Sequence, residues 1–517
     1  MIDNLSKKEL DKLCEQQNAI INSNYDRIVV SAGPGSGKTY TIVRKIAKEL
    51  KESLGKRIIA CSFTREASNQ LKDKIEQFVD AEDCFIGTID SMLINLIYVD
   101  NFRSIYRYLF KEYPMIDLSF IMPSQKKELP VNQITRLSTK CSDEMRKKYA
   151  SEWCEKFKKG IYEISYYGYV LATHILSKKQ QIAKNISYAY STIYIDEAQD
   201  LNYYQLEFIK VFIQKCNLKC ILIGDKNQSI YEFRGARPEL FYKLKNEGFN
   251  EYPITISVRC QESIFDISNC FIDNKTPSKH DDNRVSFGGL PSDFKDINDK
   301  HFFVLTSTNE SAEFLNKVLN SQGVNSVYTR PIKYNANAFL EANADIVEES
   351  IKYFFNRKRK RITDMYSTDS FKMYLSSFIA LKQIDSVDWQ NIHDGSLIDF
   401  LKHILKLCGL ILPNNAIEFI NSEMENFAVK NHYLIDKNQN KVMTIHASKG
   451  LEADYVFLIL DHPPFKFDDE YKRKMYVGMT RAKNHLFITP FNSKYYDTDL
   501  GKQIIEYFKK LIHSMDV

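Results

Sequence analysis

Long apolar runs are missing from this chain: nowhere in its 517 residues does an uninterrupted stretch reach the roughly 20 residues that cross a bilayer. The opening Met-Ile-Asp-Asn-Leu-Ser-Lys-Lys-Glu-Leu lacks the apolar centre of a signal peptide. Together these absences lead us to expect a cytoplasmic protein with no membrane partner. Clustered cysteines are missing too. Ten are scattered from Cys14 to Cys408, with Cys216 and Cys220 as one close pair that no second pair or histidine cluster answers. That argues against zinc and iron–sulfur sites and for reduced, buried thiols. Strong charge is lacking as well: 71 Lys and Arg against 66 Asp and Glu leave +5, compatible with nucleic-acid binding without requiring it. What the chain has is bulk. With 44% hydrophobic and 13% aromatic residues, it can build about two to four packed domains.

Against that background one stretch organises the rest, Ala32-Gly33-Pro34-Gly35-Ser36-Gly37-Lys38-Thr39. The β-branched Ile28-Val29-Val30-Ser31 before it reads as a buried strand, and Tyr40 to Leu50 carries apolar residues at helical spacing. Strand, glycine-rich loop and helix make a phosphate cradle. The glycines let backbone N–H groups converge on an anion, and the helix N-terminus adds partial positive charge. Lys38 would reach the β- and γ-phosphates and the Thr39 hydroxyl would ligate Mg²⁺. Ala32 stands where the strict pattern has glycine, so the match is near-complete.

Upstream, Gln16 lies in a helix expected over Leu5–Ile21, where its amide could read an adenine edge. Downstream, Arg57–Ser62 reads as a second strand leading to Phe63-Thr64, and a helix over Ala67–Val79 precedes Phe85-Ile86-Gly87-Thr88. This alternation implies a parallel α/β sheet with functional loops at the carboxyl ends of its strands. From Met92 to Ser187 the pattern turns helical and tyrosine-rich, and its aromatics read as core. The sheet resumes at Thr192–Ile195, which ends in Asp196 and Glu197. These are a candidate Mg²⁺ ligand and a candidate group to orient or deprotonate water. A further strand, Cys220–Ile223, leads to Gln228, placed to sense a γ-phosphate, and then to Tyr231, Phe233 and Arg234.

In this order the segments resemble the superfamily 1 DNA helicases of the UvrD/Rep/PcrA type, and the second half agrees. Ile256-Ser257-Val258-Arg259 resembles the motif opening their second motor domain. Met443–Glu452 (Met-Thr-Ile-His-Ala-Ser-Lys-Gly-Leu-Glu) resembles their fifth motif, and Tyr476–Ala482 (Tyr-Val-Gly-Met-Thr-Arg-Ala) their sixth. The resemblance implies two RecA-like parallel-sheet domains closing on one ATP with Mg²⁺, with helical insertions in each. Boundaries are expected at 1–91 and 188–250 for the first motor domain and 92–187 for its insertion. The second motor domain would take 251–334 and 440–517, and a reduced accessory domain 335–439.

The resemblance also implies roles. Arg259 and Arg481 would be arginine fingers and Glu452 would sit near the ribose or phosphates. Phe63, Thr64, Thr88, Tyr231, Phe233, Arg234 and His446 would meet single-stranded DNA. The direction would be 3′ to 5′, on single-stranded or tailed duplex DNA. There are departures. Val258 stands where the family has an adenine-stacking tyrosine, which leaves Tyr40 to stack; Phe233 replaces a tryptophan; Asp90 replaces a histidine and is expected to cap the next helix. The basic run Arg357–Arg361 reads equally as a grip on duplex DNA or a solvated face. Only 36 residues follow Arg481, too few for a fused nuclease domain, and compact relatives resemble subunits of anti-phage systems such as Gabija that act beside a separate nuclease. Two rival readings stay open: a DNA-stimulated ATPase that senses DNA without unwinding it, and a scaffold with a decayed nucleotide site.

Overall fold

The computed structural model describes residues 6–52, 55–80, 83–99, 101, 105, 122–124, 161–163, 166–232, 235–288, 300–329, 337, 339–340, 344–356, 396–407, 411–425, 429, 439–464, 466–491 and 498–516. The chain divides into two compact units. One comprises residues 1–89, 183–328 and 438–517, and the other residues 90–182 and 329–437.

The first unit holds two six-stranded sheets, both wholly parallel. One takes β1 (Arg27–Ala32), β2 (Arg57–Ser62), β3 (Cys84–Thr88), β6 (Tyr190–Ile195), β7 (Lys219–Gly224) and β8 (Asn250–Ile254), in the order β3-β2-β6-β7-β1-β8. Its central strands are near-continuous apolar runs because both faces are covered. Ile28, Val29 and Val30 in β1 and Cys220 to Ile223 in β7 are all buried. The order places β1, which delivers the phosphate loop, beside β7, with β6 next in line.

The other sheet takes β9 (Val285–Phe287), β10 (Phe302–Thr306), β11 (Val327–Tyr328), β12 (Lys441–Thr444), β13 (Ala453–Leu460) and β14 (Ala482–Pro490), in the order β11-β12-β10-β13-β14-β9. One of its faces packs on Ile264, Phe271, Met475 and Phe508. The helix Asp469–Met479 comes close to β13 because Gly478 has no side chain: a Cβ there would lie 2.7 Å from Leu458 Cδ1. Two parallel-sheet α/β lobes are the expected fold class.

Helix starts follow the local code. Ser6 and Glu9 close a capping box on Lys7–Ile21, Asn202 and Gln205 another on Tyr203–Cys216, and Asp468 caps Asp469–Met479.

In the second unit, Leu340, Val347, Ile351, Phe400, Leu401, Ile404 and Ile420 form a core of their own between the helices Ala344–Asn356, Leu397–Leu407 and Asn414–Met424. The earlier part of this unit is not purely helical, since β4 (Met122–Ser124) and β5 (Ile161–Glu163) pair in parallel. Asp90 does not cap the helix Ile89–Met92. That helix starts one residue earlier, which puts Asp90 inside its first turn, and its carboxylate accepts from the Tyr169 hydroxyl instead.

Candidate active site and nucleic-acid track

The phosphate loop leaves the end of β1 and enters the helix Lys38–Glu52. Gly35 and Gly37 adopt positive φ (68° and 77°), where side chains are strained. Lys38 Nζ donates to the carbonyls of Ala32 (3.1 Å) and Gly33 (3.3 Å), and the Ser36 hydroxyl donates to Gly33 O (2.8 Å). Gln17, which sequence reasoning passed over for its neighbour, supports the loop from outside by donating to Ser36 O at 3.2 Å.

Residues after β8 lie directly on this loop. Ser257 Oγ donates to Pro34 O (2.7 Å), and the Val258 N–H donates to Gly35 O (2.9 Å). A Cβ on Gly35 would lie 2.2 Å from Arg259 Cβ. Arg259 is thereby fixed against the loop, and its Nε donates to Glu452 Oε2 at 2.7 Å while Lys483 pairs with Oε1 at 3.0 Å. Burial would raise the Glu452 carboxyl, but these two cations hold it below its usual range.

The acidic pair follows β6. Asp196 is anchored by its N–H to Cys61 O (2.8 Å), and its Oδ1 accepts from the Glu197 N–H (2.9 Å). Glu197 sits at φ +55°, a left-handed backbone that costs a non-glycine residue on the order of 1 kcal/mol. Burial, and then the neighbouring Glu197 charge, push Asp196 up to about 6. Burial would also raise Glu197, yet Lys449 and Lys38 outweigh it, and the Gln199 amide donates to Oε2 at 2.6 Å. Glu197 is therefore held low.

Gln228 is oriented from both ends. Its Nε2 donates to Asp225 Oδ2 (2.7 Å), and its Oε1 accepts from Arg481 Nη2 (3.2 Å). Arg481, 1% exposed, also donates to Val477 O (2.9 Å) and Leu451 O (3.2 Å). Burial, and then Arg259, lower the Arg481 guanidinium to about 9, which leaves it charged at neutral pH. Thus Arg259 and Arg481, both on the second-sheet side, reach the phosphate loop and Gln228 on the first.

For the base, Gln16 presents its amide at Thr255: Nε2 donates to Oγ1 (3.1 Å) and Oε1 accepts the Thr255 N–H (3.0 Å). Tyr40 is 45% exposed, with the Arg44 guanidinium 4.5 Å from its ring centroid.

A line of rings lies nearby. Phe63 stacks on Tyr231 (5.5 Å, 26°), and His446 tilts toward Tyr231 at 6.4 Å. The Thr64 hydroxyl accepts the Ala67 N–H (3.2 Å) and caps the helix Arg65–Ile75, while Thr88 closes β3. Phe233, Arg234 and the run Arg357–Arg361 lie outside the described residues. Sequence reasoning missed Lys449, Asp200 and Arg473. Lys449, in the segment after β12, pairs with Asp200 and Glu197, and Arg473, in the helix Asp469–Met479, pairs with Glu232, in both cases joining the second-sheet side to first-sheet loops. The signal for Lys449 was a charged residue inside an already quoted motif, and for Asp200 a third carboxylate shortly after Asp196 and Glu197.

Parallel sheets, a phosphate loop with Arg259 against it, and Arg481 reaching Gln228 across the seam define a nucleotide-driven motor of the two-lobed helicase class. The chain belongs to the UvrD/REP-like ATP-dependent DNA helicases. The family model of the UvrD/REP helicase N-terminal domain matches residues 13–165 and 163–248, and that of the UvrD-like helicase C-terminal domain matches 341–493. Among curated relatives, the chain is 27% identical to the Gabija protein GajB of Bacillus cereus over 91% of this chain and 94% of that one. It is 24% identical to a probable DNA helicase II homologue of Mycoplasma genitalium (92% and 84%). It is 23% identical to the ATP-dependent DNA helicase Rep of Buchnera aphidicola (92% and 94%). Among the described residues no helix is long and apolar enough to cross a membrane.

Proposed function

We propose that this helicase hydrolyses Mg²⁺-bound ATP at the seam between its two sheets and thereby moves 3′ to 5′ along single-stranded DNA, in anti-phage defence alongside a separate nuclease subunit. The observation that carries the motor reading is the bond from Arg481 to Gln228, which links the second-sheet side to the Asp225–Gln228 loop of the first. In this reading the loop 32–39 cradles the phosphates, Lys38 neutralises the β- and γ-phosphates, and Gln228 contacts the γ-phosphate. Glu197 orients the attacking water and accepts its proton, while Arg259 and Arg481 stabilise charge on the transferring group. Glu452 would meet the ribose or phosphates once Arg259 turns to the γ-phosphate. Tyr40 and Gln16 would hold adenine.

The donor set suits Mg²⁺. Thr39 offers a hydroxyl and Asp196 a carboxylate crowded by Glu197, so a divalent cation would relieve like-charge repulsion. Among the described residues no group of three or more His, Cys, Asp or Glu could hold a metal alone. Mg²⁺ would take its remaining ligands from phosphates and water. When bound, it would neutralise charge on the β- and γ-phosphates.

Phe63, Tyr231 and His446 supply stacking faces for bases, with Thr64 and Thr88 beside the backbone. Likeness to a Gabija protein over nearly the whole of both chains supports the defence role. The test is strand displacement with 3′-tailed and 5′-tailed duplexes beside ATPase assays. Unwinding of the 3′-tailed substrate alone, abolished in Lys38→Ala, is expected. Unwinding from the 5′ tail would overturn the direction, and DNA-stimulated hydrolysis without displacement would favour a DNA-sensing ATPase. Co-expression with a neighbouring nuclease should yield a complex; a fully active monomer beside an unbound nuclease would defeat that partnership.

A further inference from the structure

Lys449 has no part in the roles given above, yet it touches both halves of the machinery. It lies in the segment after β12, three residues past His446. Its ammonium pairs with Asp200, lies 3.3 Å from Glu197 Oε2, and donates to Gln228 O at 3.3 Å. These partners all sit in loops that follow strands β6 and β7 of the first sheet. The same nitrogen stands 5.0 Å from the centroid of the Tyr231 ring, which stacks on Phe63 and faces His446. One cation therefore spans the carboxylate assigned to water activation and the ring assigned to base stacking.

Stability alone is a weak reason for such an arrangement. The Lys449 and Asp200 side chains are 11% and 1% exposed, and a buried ion pair gains little over well-packed apolar residues. The geometry instead offers a choice of partners. The ring face attracts the ammonium through its quadrupole, Asp200 anchors it, and Glu197 is the third and longer contact. A base stacked at Tyr231 would alter the ring that the ammonium faces, and a shift of the cation toward it would lengthen the Glu197 contact while Asp200 kept it paired.

We propose that Lys449 is a positioning residue for Glu197 that couples occupancy of the aromatic track to ATP hydrolysis. Without DNA, the ion pair holds the Glu197 carboxylate away from the proton of the attacking water. A base stacked on Tyr231 draws the ammonium off Glu197 and frees the carboxylate. This inference rests on the reading that Glu197 activates water and Tyr231 stacks DNA.

The test measures steady-state ATP hydrolysis by the full chain with and without a saturating thymidine oligonucleotide, with oligonucleotide affinity read by fluorescence anisotropy. In Lys449→Met the ratio of DNA-stimulated to DNA-free turnover should fall about tenfold, with oligonucleotide affinity near wild type, and Lys449→Arg should restore the ratio. Tyr231→Leu at saturating DNA should lose the ratio to the same extent, and the double variant should lose no more than either single one. A folded Lys449→Met that lowers both rates by one factor overturns the inference, because a purely structural lysine would do that. Should Lys449→Met fail to fold, an unchanged ratio in Tyr231→Leu overturns it equally. A wild-type protein whose hydrolysis ignores DNA defeats the underlying reading of the aromatic track, a result distinct from either of these.

Discussion

Gly35 shows how tightly single residues constrain this site. Its φ of +68° already excludes most side chains, and the nearest heavy atom to an added Cβ would be Arg259 Cβ at 2.2 Å. Gly35→Ala is therefore expected to weaken ATP binding at least about tenfold by pushing Arg259 off the loop, and titration with a fluorescent ATP analogue would show it. Unchanged affinity would mean that the Ser257–Arg259 contact does not shape the pocket. For the base, the Thr255 N–H can only donate, so it fixes which end of the Gln16 amide carries oxygen. Gln16→Ala should narrow the preference for ATP over GTP by about tenfold in KM ratio, the worth of roughly one hydrogen bond. A Gln16→Ala enzyme with the wild-type ratio would show that the amide does not read the purine.

The phosphate loop and the acidic pair were legible because chemistry and spacing are local there: glycines before Lys38, and an apolar strand ending in two carboxylates. Lys449 was not, because its meaning comes from Asp200 and Glu197, some 250 positions earlier, and no local pattern records such a meeting. Asp90 was misread because a helix start can move by one residue, and that shift decides whether a carboxylate caps the helix or joins it.

At the scale of elements, β1, β2, β6 and β7 were legible as unbroken apolar runs, whereas the equally buried β10 and β13 were not read as strands. The three-residue β9 and two-residue β11 were not, since pairing with long neighbours rather than their own pattern makes them strands. The second sheet carries a pH liability. His301 stands edge-on to Phe303 (5.1 Å) just ahead of β10, and His485 in β14 stacks on Tyr455 (4.8 Å). Burial lowers both histidines below their ordinary value, with Arg284 adding to the effect at His485 against Asp282, and Lys483 and Lys441 adding to it at His301 against Asp454. Between the depressed folded value and the unfolded value near 6.5, the unfolded chain binds more protons, so stability rises with pH. Melting temperature should accordingly drop as pH falls from 7 toward 5.5, and His485→Phe should flatten part of that slope. An identical slope in the variant would assign the effect elsewhere. Packing makes a second demand here. Gly478→Val should cost about 1–3 kcal/mol by forcing the helix off Leu458, measurable by denaturant unfolding, and no loss would mean that the helix shifts freely.

For the whole molecule, three contacts join the two sheets: Arg481 to Gln228, Lys449 to Asp200 and Arg473 to Glu232. A non-hydrolysable ATP analogue at a hundred times its Kd should stabilise the wild type by about 2.7 kcal/mol. At that same concentration Arg481→Ala should show a clearly smaller thermal shift, because one bank no longer contributes. An equal shift would place Arg481 outside the nucleotide's reach.

Every strand of the first sheet precedes position 255 and every strand of the second follows position 284, so the backbone passes from one to the other through Thr255–Cys260. That passage is the stretch resting on the phosphate loop. A door moves least at its hinge, and on the function proposed above a hinge here would stand beside the cargo, so that the lobes would swing while the triphosphate seat kept its shape. Lengthening the chain by even a few residues between Thr255 and Cys260 would leave every reacting group intact and still slacken the pivot, giving a motor that burns fuel without advancing.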